Sequence, residues 1–135
     1  MAHAIIELQT NLILALKNDA QLISYLGSDA IFDAPAERKK APFVAIIRHD
    51  IISKDGDETP TNEHRILLHA RHNHVSRKSV LEIVDRVLDV ALNQDLSSDN
   101  LHVTYANHIK TETMIDNKSS TALATISLRI LSEPI

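Results

Sequence analysis

The chain has 135 residues, 44% of them hydrophobic, with a formal charge of −4 and no cysteine. That length suits one domain with one core, and the missing cysteines exclude disulfides, thiolate metal sites, iron–sulfur clusters and a cysteine nucleophile. The acidic balance argues against a duplex-DNA binder that needs a broad basic face.

Taken in chain order, Ala4 to Lys17 reads as an amphipathic helix. Ile5, Leu8, Leu12 and Leu16 fall three and four apart, with Ile13 beside them. The start has no basic segment and meets Glu7 early, which speaks against a secretory signal. No apolar run approaches the roughly 18 residues of a membrane helix. Asn18 or Asp19 can cap a short second helix that buries Leu22, Ile23 and Leu26, and Gly27 stands at its end. Ile31-Phe32-Asp33 is a short extended piece. Arg38-Lys39-Lys40 forms a basic cluster before Pro42, which opens a strand from Phe43 to about Ile52.

Eleven polar residues come next, Ser53 to Glu63, carrying Lys54, Asp55, Gly56, Asp57 and Glu58. A link of that length between two strands exceeds a tight hairpin, and long loops tend to carry function. From His64 to about residue 73 the pattern alternates, with Ile66, Leu68 and Ala70 on one face and Arg65, Leu67, His69 and Arg71 on the other. The main helix comes after it, capped by Ser76 or Ser79. Ser79-Val80-Leu81-Glu82 fits a capping box, and Glu82 stands four residues before Arg86. Its apolar stripe is Val80, Ile83, Val84, Val87 and Ala91, with Leu88 alongside. Arg77 and Lys78 sit at the positive end of this helix, where cations are disfavoured, which hints at an acidic partner.

After a polar link at residues 93–100, Leu101, Val103, Tyr105, Asn107 and Ile109 alternate with polar neighbours. Asp116-Asn117-Lys118-Ser119 makes a turn, and a return strand from Thr121 to about Leu131 puts Ala122, Ala124, Ile126, Leu128 and Ile130 on one side. The sum is an α+β domain spanning residues 1–135. It has an antiparallel sheet of about four strands, helices packed on one face, the order α-β-β-α-β-β, and a long loop between the first two strands. The other sheet face is wet in a monomer or covered in an assembly.

No catalytic set emerges. Gly27 and Gly56 are the only glycines, and they form no phosphate loop, dinucleotide fingerprint or nucleophile elbow. Among eight histidines, His72 and His74 share a strand face and are candidate metal ligands, without an HExxH pattern or a further ligand. His49 beside Asp50 and Glu63 beside His64 are adjacent in sequence without evident convergence. Asp55-Gly56-Asp57-Glu58 lacks the ligand spacing of a calcium loop. Four aromatic residues are too few for a base-stacking platform. No cofactor is expected. The charge blocks suit contacts between proteins, and a merely solvated surface stays open beside that reading.

Three features carry a family resemblance: Leu16-Lys17-Asn18-Asp19-Ala20 leading to Leu26-Gly27, then Ile31-Phe32-Asp33, then Ala41-Pro42-Phe43-Val44-Ala45-Ile46. With the later strand, helix and closing hairpin, the layout resembles the tail-completion or tail-terminator proteins of long-tailed bacteriophages and gene transfer agents. Val44 departs from a further aromatic that members often carry there, and the histidine content is not a family trait. The resemblance implies a non-enzymatic virion protein, assembled in the bacterial cytoplasm and placed at the head–tail junction. It would form a homo-oligomeric, hexameric ring on the end of the tail tube, stop tube growth and join the head connector, with DNA passing through the lumen and no membrane involved. A head-side connector or stopper of the same particle is the nearest alternative, and a small metal- or ligand-binding module is a further one. The expected partner contacts are Arg38 to Lys40 and Lys54 to Asn62, with Asp55, Asp57 and Glu58 among them, and Arg77 and Lys78.

Overall fold

In a computed structural model, residues 3–34, 40–54 and 60–134 are described. The amino-terminal helix α1 runs over Ala4–Lys17 and buries Leu8, Leu12 and Leu16, the four-residue stripe expected of it. Asp19 caps α2 (Ala20–Leu26), its carboxylate accepting the Leu22 N–H at 3.0 Å. Gly27 ends α2 with φ +86° and ψ 172°, a positive-φ conformation outside the left-handed helical region expected for it.

Five strands make one sheet in the order β1-β2-β3-β5-β4. They are β1 (Ile31–Phe32), β2 (Phe43–Ser53), β3 (Asn62–His72), β4 (Leu101–Asp116) and β5 (Thr121–Pro134). The four long strands are those expected. The short extended piece adds a fifth, paired parallel to β2 through Ile31–Val44 and Phe32–Ala45. All other neighbours are antiparallel. The β2–β3 link is shorter than expected, because pairing extends to Ser53–Asn62 and the Lys54 N–H reaches the Thr61 carbonyl at 2.7 Å.

Helix α3 (Arg77–Asn93) crosses the same sheet face as α1 and α2 and buries Val80, Ile83, Val84, Val87, Val90 and Ala91. Beneath them lie Val44, Ile46, Ile66, Leu68, Ala70 and the β5 residues Ala122, Ala124, Ile126, Leu128 and Ile130, all at most 2% exposed. The cap of α3 is Ser76, whose hydroxyl accepts the Ser79 N–H, so Ser79 does not open a capping box. Arg86 does not pair with Glu82. It reaches Asp19 on α2 and Asp89 on its own helix, since the adjoining α2 supplies a carboxylate already held in place as a cap. The link at residues 94–100 is anchored by buried Leu96, whose carbonyl accepts from the Asn11 amide at 2.8 Å.

Bulges in two strands correct the expected patterns. In β2 the register shifts between Ile46 and Arg48, and in β4 between Val103 and Tyr105 and again between His108 and Lys110. Each extra residue reverses the facing of the strand beyond it. Tyr105 and Ile109 are therefore 53% and 45% exposed, not core-facing with Leu101.

Candidate protein interface

Away from the helices, the sheet shows an open face. Reading across paired rows, it carries Ile52, Glu63, Leu131 and Tyr105, then Asp50, Arg65, Arg129 and Asn107, then Arg48, Leu67, Ser127 and Lys110. Alternation puts the polar half of each strand here. Glu63 is buried at the centre between two arginines, accepting from Arg65 Nε at 2.8 Å and Arg129 Nε at 2.6 Å. Those charged bonds hold its carboxyl below the usual range, Arg129 contributing most and Arg65 next. Arg48 pairs with Asp50 at 2.8 Å, and Lys110 pairs with Glu112. Between them lies a shallow depression of about 250 Å³ lined by Arg48, Arg65, Leu67, Ile109 and Ser127. It is a surface for side chains of another protein, without the convergent nucleophile and base that a reaction needs.

The core face holds a polar chain that sequence reasoning missed. His49 Nε2 lies 2.8 Å from His64 Nδ1, and His64 Nε2 lies 2.8 Å from the Ser132 hydroxyl. His64 is in phase with Ile66 and Leu68, and Ser132 with Ile130, so both burials were readable from alternation. His49 was not, because the β2 bulge turns it inward. Asp50 and Glu63, their sequence neighbours, point to the open face, as successive strand residues must. Burial pulls both imidazoles down, to about 4 each, with the neighbouring His64 a smaller influence on His49. The order hydroxyl–imidazole–imidazole is that of a nucleophilic triad, but Ser132 and His64 have no exposed surface, so no substrate can reach the hydroxyl. The chain satisfies buried polar groups.

Of the expected contact residues, Lys40 and Lys54 are exposed at opposite ends of β2, roughly 35 Å apart at strand rise. Arg77 and Lys78 begin α3 on the Lys40 side of the sheet, where Arg77 Nε donates to Thr113 Oγ1 at 3.3 Å. These residues thus form no single cluster. Arg38, Lys39, Asp55, Asp57 and Glu58 lie outside the described residues. His72 ends β3 and His74 stands just past it, their rings 4.9 Å apart, with the His74 N–H donating to His72 Nδ1. Among the described residues no three histidine or carboxylate side chains gather as metal ligands. No described helix is long and apolar enough to cross a membrane.

Residues 10–133 match the family described as Tail completion protein gp17. The chain belongs to that family. It is a structural family, generally without enzymatic activity. A chain from a structure titled "Virion of native gene transfer agent (GTA) particle" shares the fold at TM-score 0.81 and 17% identity, covering 98% of this chain and 99% of that one. The structure of the bacteriophage SPP1 gp17 protein is similar at TM-score 0.64 and 15% identity, over 94% of this chain and 89% of that one. No curated protein matches the sequence. Membership in the tail completion family accords with an α+β chain whose open face and strand edges, not a reactive pocket, carry its distinctive side chains.

Proposed function

We propose that this tail completion protein acts as a single-domain subunit of a hexameric ring at the end of a phage-like tail tube, where it ends tube growth and joins the tail to the head connector. The observation that carries the reading is family membership over residues 10–133. The likeness to a chain of a gene transfer agent virion, over nearly the full length of both, supports a place in such a particle. DNA passes through the ring without sequence-specific binding, and the protein catalyses no reaction. Contacts at the two ends of the sheet, around Lys40 with Arg77 and Lys78 at one and Lys54 at the other, suit a subunit gripped from two sides.

Electron microscopy of particles from a producer lacking the gene tests this. Filled heads beside separate or overlong tails are expected, and normal tailed particles overturn the reading. Reversing Asp55, Asp57 and Glu58 to lysine blocks joining with the fold intact if that segment meets a partner. A normal yield of joined particles from that variant removes the segment from the interface.

A further inference from the structure

Two edges of the sheet carry backbone groups with no backbone partner among the described residues. On one side β1 pairs only with Val44 and Ala45, which leaves β2 bare from Arg48 to Ser53. On the other side β4 is the last strand, and its outer edge is bare from Tyr105 to Asp116. Exposed edges of this length template further pairing unless something covers them.

The two edges are complementary in direction. Three antiparallel steps separate β2 from β4 in the sheet order, so the strands run oppositely. Two copies set side by side in the same orientation therefore bring the β4 of one against the β2 of the next as an antiparallel pair.

They also match in side chains on the open face. From the Ser53 end, β2 presents Ile52, Asp50 and Arg48, or apolar, acid, base. From the same end, β4 presents Tyr105, Asn107, Lys110 and Glu112, or apolar, amide, base, acid. Ile52 and Tyr105 occupy one row of the sheet, linked through Glu63 and Leu131, and are 45% and 53% exposed. In the isolated chain each charge can pair only along its own strand, Arg48 with Asp50 and Lys110 with Glu112. Beside a second copy, Asp50 meets Lys110 and Arg48 meets Glu112, while Ile52 and Tyr105 cover one another.

We propose that copies of this chain join head to tail through their sheets, the β4 edge of one pairing antiparallel with the β2 edge of the next. The joint rests on the ring reading above and supplies that ring with its repeating contact. It is heterologous, so it repeats around a ring, whereas β4 against β4 closes a dimer and leaves β2 bare.

Charge reversal tests it without disturbing the fold. R48E/D50K and K110E/E112K each keep their own intrastrand pair and the net charge, and thermal melting of each variant should match the parent. In a producer complemented with each variant, junction rings and joined particles are counted by electron microscopy. Each double variant should lower their number by at least about tenfold, since like charges then face each other at every joint. The quadruple variant should restore them. Undiminished rings from either double variant overturn the joint while leaving the ring reading intact. Loss in both doubles without rescue in the quadruple assigns those charges to another partner and also overturns it. A β4–β4 contact tolerates both double variants, because its own charge pairs reverse together. Absence of any ring in parental joined particles overturns the joint and the ring reading alike.

Discussion

Asp19 and Arg86 are joined by two parallel hydrogen bonds, Nε to Oδ2 at 3.0 Å and Nη2 to Oδ1 at 2.7 Å, although 67 residues separate them. The same carboxylate caps α2 through the Leu22 N–H, so one side chain starts a helix and fastens it to α3. The Arg86 bond, more than the cap, holds the Asp19 carboxyl below its ordinary value. Asp19→Ala removes both functions at once. The expected loss is about 2 kcal/mol, the sum of a cap and a charge-assisted hydrogen bond in partial contact with water. Urea unfolding of the two proteins measures it, and Asp19→Asn should keep most of the cap and lose only the pair.

The histidine pair gives the fold a pH dependence of defined sign. Both imidazoles sit at about 4 in the folded chain, against an ordinary value of 6.5, so the unfolded chain binds more protons between those limits. Stability is therefore full above about pH 6.5 and declines as pH falls towards 4. Between pH 7 and pH 5 the pair should cost roughly 2 kcal/mol, after discounting for the water that reaches His49. Chemical denaturation at the two pH values checks this. His49→Gln, which can hydrogen-bond but cannot titrate, should flatten the dependence.

Glu63 acts in the opposite sense. Its carboxyl is held down by Arg129 and Arg65, so its contribution is present above the ordinary carboxylate value and is lost as pH falls through the lowered one. Glu63→Gln should lower the melting temperature at pH 7. The gap between variant and parent should close in acid, as a melting series from pH 7 to pH 3 would reveal.

Gly27→Ala should destabilise by about 1 kcal/mol through its backbone alone, because φ is +86° while no atom lies within 4 Å of an added Cβ. A comparable loss from Gly27→Ser, with no further penalty for its larger side chain, distinguishes backbone strain from crowding.

Much of this architecture is legible in local pattern. The four-residue spacing of Leu8, Leu12 and Leu16, and the alternation of Ile66, Leu68 and Ala70, place core faces correctly because helix and strand periods are properties of the backbone itself. The whole of β5 reads the same way, from Ala122 to Ile130. Absent cysteines and scarce glycines likewise dispose of thiolate and phosphate-loop chemistry from composition alone, as no fold can supply a missing atom. The candidate interface was less legible. Charge blocks point to Lys40, Lys54, Arg77 and Lys78, yet a charge on a solvated surface and one in a joint look alike in sequence.

Tertiary structure decided the rest. Bulges at Ile47 and Ile109 belong to strand pairing, and a pairing partner far along the chain leaves no mark on the local period. They turn His49 inward to His64 and leave Tyr105 and Ile109 facing out. Asp19 with Arg86, and Ile52 in one row with Tyr105, are likewise relations between distant segments. Sequence alone sets which residues can lie on a face, since that depends on a few bonds of backbone. Which faces meet, and which edges stay open for another copy, depends on how the segments pack in space.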